Sequence, residues 1–561
     1  MANLDPSLES TGLFATARLV GRKAQIEHIL KLIRDPSPEP KGIVVIDKGG
    51  AGKTKLLEEA LRLAQEEPGV IAAREPIDFY LMAPHLRYGL ADGFYRVLKL
   101  PPSESSRFAD LRKDVEQLTI IGDATSAAGK REEAVDDFVK YLQKVTDQER
   151  VVVALDTTER IIYDIPGLPP FIADVADSWK WLLELLPQLK NFVFLMAGRP
   201  AAERLQKDLK ALEGIQLEAV ELGKFTDKEC REYFHELART ARDERSRPDV
   251  ANRIEAVTED QHRVVYQLSE GKPISLSLFA DLVALEYPLP YPLRMSLGQL
   301  QVASDEEIEK LREELNEALI ARLIERSDIG RTVVAMGRAP RGVNVELLRR
   351  LLEISEEEAK KNLEEFSYLS IARKRRAEAE AEKPEELFIL ERWFLHDEMY
   401  ALLKKYVYDS ELDGPEEKKT AEIIQQYYFD RLKARRAELD SVYEEVEQQG
   451  REPDRKKLSF VNSRLRNLQT EDVYYRLKHN PLNGFRAFYR YSRQATLSGE
   501  TEIDFRLQAV LLEFLAEREA NKQTDDGLDM SQVLGNLAMR PIVRDWAEGK
   551  YERALKHVKR Y

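Results

Sequence analysis

A chain of 561 residues, 43% hydrophobic and 33% charged, has room for about three to five domains with buried cores. No run approaches the roughly 18 uninterrupted apolar residues of a membrane span, and the opening Met1-Ala2-Asn3-Leu4-Asp5-Pro6 is expected to carry no signal peptide. The net charge of −14 gives polyanions no evident footprint, so nucleic acid is not an expected partner. The lone Cys230 excludes an intrachain disulfide and fits a cytoplasmic location, and one Cys with seven scattered His offers no zinc-site spacing.

In chain order, residues 13–30 read as a lead-in and a first helix. From Lys41 to about Gly223, β-branched runs at Ile43–Ile46, Val70–Ala73, Val151–Leu155, Phe192–Ala197 and, more weakly, Leu217–Leu222 alternate with amphipathic helical patterns. Such alternation predicts a parallel sheet wrapped by helices. Helices dominate from Thr226 to about Arg326. Residues 331–410 read as two or three helices followed by Tyr368–Arg373, a charged stretch Lys374–Glu386 and Leu387–Leu390, the pattern of a β-hairpin wing. Beyond Asp409 the pattern is helical. Near its end Gly549, Tyr551 and Ala554 are spaced like the turn between paired helices of a tetratricopeptide repeat. A helix pair cannot bury its apolar face alone, so a repeat array continuing past residue 561 is expected.

The chemistry concentrates first at Asp47-Lys48-Gly49-Gly50-Ala51-Gly52-Lys53-Thr54, between an apolar run and the helical Lys55-Leu56-Leu57. Gly49 to Lys55 form the expected phosphate cradle of a P-loop. Glycines let successive N–H groups converge, Lys53 reaches the β- and γ-phosphates, and the Thr54 hydroxyl ligates Mg²⁺. Asp47 stands where the pattern wants its first glycine, and a left-handed Asp would rescue the turn. Downstream, the strand ending at Asp156 supplies the acidic partner for Mg²⁺, and Glu159 is a candidate to orient a water. Arg199, closing the next strand, can neutralise a γ-phosphate. Lys53, Asp156, Glu159 and Arg199 are therefore the expected catalytic set.

Three further motifs stand in order around these: Val20-Gly21-Arg22 before the loop, Gly271-Lys272-Pro273 after the sheet, and Phe394-Leu395-His396-Asp397 after the suspected wing. Over about residues 13–410 this ordered set resembles the STAND class of P-loop NTPases, near its NB-ARC branch. The resemblance implies that Val20, Gly21 and Arg22 lie at the adenine and that Pro273 packs on base or ribose. It also implies that His396 meets the β-phosphate of ADP, that Arg199 acts as a sensor, and that Asp156 is the Walker B carboxylate. Leu395 replaces the motif's Met, and Thr157 replaces a second adjacent acid, which points to slow hydrolysis.

The expected architecture is multidomain α/β plus α, with a tail at 1–12, a nucleotide-binding domain at 13–224 and a helical lid at 225–327. A winged helix follows at 328–410 and a repeat-like helical region at 411–561. The implied function is an ATP/ADP switch with slow ATPase activity. It would be closed with ADP, would self-associate with ATP, and would respond to a trigger sensed by the repeats. The alternative is a winged-helix transcription regulator.

Overall fold

The computed structural model describes residues 8–10, 18–80, 83–98, 100, 107–120, 123–162, 175–244, 246–325, 327–375, 392–408, 415–449, 455–520 and 527–560. In chain order the strands are β1 (Leu8–Ser10), β2 (Lys41–Ile46), β3 (Val70–Ala72), β4 (Ile77–Asp78), β5 (Arg150–Asp156), β6 (Phe192–Gly198), β7 (Gln216–Ala219), β8 (Ala372–Arg375) and β9 (Arg392–Leu395). The central sheet runs β3-β5-β6-β2-β7, with β4 paired to the far end of β5, and every pairing in it is parallel. Helices cover both faces, so β5 and β6 are buried nearly end to end, which is why they read as continuous apolar runs. Gly42 is obligatory in β2. It pairs in register with Phe194 of β6, and a Cβ there would strike that ring and lie 2.6 Å from Leu217 Cδ1.

This order puts β6 between the P-loop strand β2 and the Asp156 strand β5. The C-terminal ends of all three strands therefore open on one edge of the sheet, with Arg199 in the middle.

Two apolar cores carry the described chain. One draws on residues from Ile29 to Leu222 and holds the sheet and its helices. The other draws on residues from Phe225 to Ala538. Between them lies a short linker, Leu222-Gly223-Lys224-Phe225, after which Thr226 opens helix Asp227–Arg239 with a reciprocal capping box to Glu229. Helices Pro248–Glu255, Glu259–Ser269, Pro273–Ala284 and Asp305–Glu325 complete the region expected as a lid.

Helices Ser327–Gly337, Val345–Leu352 and Glu356–Phe366 then lead into the antiparallel pair β8–β9, to which Val343 bridges through Trp393. Two expectations change here. The returning strand is Arg392–Leu395, past the apolar run Leu387–Leu390, which lies outside the described residues together with most of the charged stretch. Residues 1–12, read as a tail, contribute β1, which pairs antiparallel with β8 in the register Leu8 to Arg375. Strand addition at a sheet edge depends on a partner far along the chain, which local pattern does not reveal.

From Pro415 onward the described chain is helical: Pro415–Gln449, Arg455–His479, Pro481–Leu497, Thr501–Ala520, Met530–Ala547 and Tyr551–Arg560. The last two are joined by Gly549 at φ +75°, and Ala554 of the final helix is buried. This turn packs back on the nucleotide-binding layer at helix Ala124–Thr146. There Thr125 donates to the Ala547 carbonyl at 3.3 Å, Arg131 donates to the Gly499 carbonyl at 2.8 Å, and Lys550 pairs with Glu132 at 2.7 Å. Among the described residues no helix is long and apolar enough to cross a membrane.

Candidate nucleotide site

The loop after β2 ends in two left-handed glycines, Gly50 (φ +71°) and Gly52 (φ +91°), and Gly52 is the N-cap of helix Lys53–Ala64. Only glycine takes these angles without strain, and the result turns consecutive N–H groups toward the helix axis, where the dipole is positive. Asp47 keeps an ordinary negative φ, so the turn needs no left-handed aspartate; its N–H donates to the Gly198 carbonyl at 3.2 Å, and its Oδ1 accepts from Lys48 N–H at 2.6 Å. Lys53 Nζ is folded over the loop and donates to the carbonyls of Asp47 and Lys48, each at 2.7 Å. Burial holds its pKa below the ordinary lysine value, against the pull of Glu159, Asp156 and Asp47.

The Thr54 hydroxyl donates to Asp156 Oδ2 at 2.6 Å, although the two residues lie on separate strand–loop units. Asp156 is 7% exposed, and its Oδ1 accepts from Thr157 N–H at 2.8 Å. Burial raises its pKa, and these two donors pull it back. Thr157 itself sits at φ +57°, an uncommon conformation for a β-branched residue, of the kind that clusters at functional sites.

Glu159 and Arg199 meet across the ends of β5 and β6. Arg199 N–H donates to Glu159 Oε2 at 3.0 Å, and Arg199 Nε lies 3.4 Å from Oε1. The carboxylate expected to orient a water is thus engaged on both oxygens by one arginine.

Arg22 explains the first motif. Gly21 and Arg22 both have positive φ, and the Arg22 side chain, 3% exposed, plunges between loop and linker. Its guanidinium donates to the carbonyls of Leu222, Gly223 (3.0 Å) and Ala51 (3.4 Å) and lies 4.7 Å over the Phe225 ring. Arg22 is therefore a structural tie between the P-loop and the linker, and burial lowers its pKa. Val20 beside it is half-buried. Gly271 (φ +66°) lies so close to the Phe225 backbone that any Cβ would collide with its carbonyl, and Phe225 N–H donates to the Gly271 carbonyl at 3.1 Å. Pro273 is the first residue of its helix, and the next residue, Ile274, packs against Gly50: a Cβ on that glycine would be 3.0 Å from Ile274 Cβ.

His396 caps helix Asp397–Leu403, its Nδ1 accepting from Glu398 N–H at 3.3 Å. Burial, reinforced by Arg373, Arg199 and Lys53, pushes its pKa down to about 3, so the ring is neutral near pH 7. With Nδ1 accepting, the proton resides on Nε2, which makes the ring a donor. Lys55 is the outlier of the expected set, pointing outward to Glu58 at 3.0 Å. Sequence reasoning missed Glu398, whose carboxylate reaches Gly49. Its only signal was its place beside His396.

The parallel sheet, the glycine cradle and the Thr54–Asp156 contact define a P-loop NTPase. Residues 18–191 match the family model described as an AAA ATPase domain. No curated protein matches the chain. Among solved structures it is similar to the ORC1 protein of Aeropyrum pernix in complex with DNA, at 13% identity over 71% of this chain and 95% of that one, with a TM-score of 0.29. It is also similar to the Aeropyrum pernix ORC2 protein (ADPNP–ADP complexes), at 13% identity over 73% and 97%, TM-score 0.31. CDC6P from Pyrobaculum aerophilum matches at 11% identity over 70% and 95%, TM-score 0.30.

Proposed function

We propose that the chain is a nucleotide-controlled switch of the STAND type, binding ATP and ADP with Mg²⁺ and hydrolysing slowly. The observation that carries this is convergence. The P-loop is touched by Arg22 from before it, by Ile274 from the helical region after the sheet, and by Glu398 from beyond the strand pair. A site that only turns over substrate has no need of contacts from three later or earlier segments; a site that reports its occupancy does.

The residues fit the group. Gly50 and Gly52 would cradle phosphates, Lys53 would leave its loop carbonyls for them, and Thr54 with Asp156 would hold the metal. When bound, Mg²⁺ supplies positive charge to the phosphate oxygens. His396 would donate from Nε2 to the diphosphate and hold the domain 328–410, read as a winged helix, against the domain 13–224. Arg199 would exchange Glu159 for the terminal phosphate. The Glu159–Arg199 pair and the Thr157 position both favour a turnover below about 1 s⁻¹, the low end for enzymes. The helices after residue 411, read as the start of a repeat-like array, would receive the trigger and release the closed form to self-associate.

The winged-helix DNA reading has less support, since Arg350 on helix Val345–Leu352 is engaged by Asp430 and Glu346, each at 2.7 Å. The test is to denature the purified protein, identify any released nucleotide, and compare native mass with ADP and with ATP. Release of ADP and a larger mass with ATP are expected. Absence of any adenine nucleotide, with no binding by calorimetry, overturns the reading, and salt-dependent duplex binding would favour the alternative.

A further inference from the structure

Gly49 lies in the loop between β2 and helix Lys53–Ala64, facing Glu398 and Arg199. A methyl group placed on Gly49 would collide with Oε2 of Glu398, and would find Glu398 Cδ at 3.1 Å and Arg199 Cζ at 3.6 Å. A carboxylate and a guanidinium therefore both face the same glycine. The carboxylate is not on a loose arm. Glu398 is the second residue of helix Asp397–Leu403, its N–H bound to His396 Nδ1 at 3.3 Å. His396 N–H is in turn fixed to the Ile371 carbonyl at 2.7 Å, and Met399 and Leu403 of the same helix are fully buried in the second core. Displacing the carboxylate from the loop thus means tilting or shifting a packed helix, or abandoning its rotamer.

We propose that Glu398 sets the site's preference for a nucleoside diphosphate over a triphosphate, its carboxylate standing where a terminal phosphate would be. The inference rests on the nucleotide-switch reading above and names the group that makes the closed form selective. With a diphosphate bound, Glu398 keeps its place and its negative charge remains over Gly49. A third phosphate brings a second anion to the same few ångströms, and like charges at that separation in a partly buried site repel strongly. Glu398 must then withdraw from the loop, and helix Asp397–Leu403 moves with it. The same carboxylate therefore discriminates the two nucleotides and transmits the difference to the second core.

The experiment is calorimetric titration of the full chain with ADP and with ATP, each with Mg²⁺, for the wild type, Glu398→Gln and Glu398→Ala. The wild type should bind ADP more tightly. Removing the charge should raise ATP affinity about tenfold while ADP affinity changes less than about twofold. In parallel, hydrogen exchange across Asp397–Leu403 in the wild type should be faster with ATP than with ADP. An ATP-to-ADP ratio unchanged in both variants, or equal exchange with both nucleotides, overturns the proposal. The exchange measurement decides the matter on the wild type even if a variant misfolds. If the wild type binds neither nucleotide, the switch reading itself falls, a result visible before any substitution is made.

Discussion

Asp281 is a carboxylate with no place to put a charge. It lies on helix Pro273–Ala284, 3% exposed, and its hydrogen bonds come from Ser370, whose N–H (2.9 Å) and hydroxyl (2.6 Å) both donate to Oδ2. Ser370 belongs to the turn before β8, so this contact ties the helix that follows Gly271 to the strand pair that carries His396. Burial raises the Asp281 pKa from 3.8 to about 7, and the two serine donors offset only part of that. The folded form therefore holds a proton that the unfolded chain has already lost between these two values. The stabilising contribution is complete below about pH 3.8 and disappears as pH rises through about 7. Between about pH 5 and about pH 9 the wild type should lose about 3 kcal/mol at this contact, two pKa units at roughly 1.4 kcal/mol each. Asp281→Asn keeps the shape and removes the titration, so it should hold its stability across the same range. Because a chain of several units need not unfold in one step, protection of the Ser370 amide against hydrogen exchange is the local readout, corrected for intrinsic rates. Parallel pH profiles for wild type and Asp281→Asn would refute the reasoning.

Thr54→Val removes the hydroxyl donor and leaves Asp156 buried with one donor fewer. It should lower stability by about 1–3 kcal/mol by thermal denaturation, and it should weaken nucleotide binding with Mg²⁺ far more than without. Gly42→Ala forces a methyl group into Phe194 and should cost about 1–3 kcal/mol by denaturant titration, with the nucleotide preference unchanged. Two histidines contribute to the acid limb: burial of His85, and desolvation of the half-buried His396 ring, hold them at about 4 and about 3, while the unfolded chain takes up these protons near 6.5. Their stabilising contribution is complete above about pH 6.5 and is lost as pH falls toward those values, so His85→Gln should flatten the decline in melting temperature between about pH 6 and about pH 4. An unaltered acid limb would assign the decline to other groups.

The parts of the fold that were legible in sequence are those whose physics is local. Strands β2, β5 and β6 are buried on both faces, and so each leaves an unbroken apolar run at Ile43–Ile46, Val151–Leu155 and Phe192–Ala197. The Walker pairing was legible for the same reason, since each half closes such a strand. The two-residue β4 leaves no periodicity, and β7 begins one residue earlier and ends three earlier than the run Leu217–Leu222 suggested. Long-range partners were invisible. Nothing near Leu8 announces β8, and nothing near Arg22 announces that its guanidinium is consumed by the carbonyls of Leu222 and Gly223. Glu398 was overlooked because a carboxylate next to a motif looks like helix N-terminal decoration until the loop it faces is seen.

The turn at Gly549 rests on helix Ala124–Thr146, and the Thr125–Ala547 hydrogen bond spans 422 residues. At roughly 5–20 residues per second of synthesis, the helix would be made some 20–80 s before the segment that covers it. The loop, Asp156, Glu159 and Arg199 all precede residue 222, so the cradle can be complete in a growing chain while Glu398 and the final helices are still unmade. The molecule is therefore born with its nucleotide-binding layer unrestrained. Nucleotide bound during that interval would be held by a site whose discriminating carboxylate arrives afterwards. A chain released early would keep the binding layer and lack the restraint.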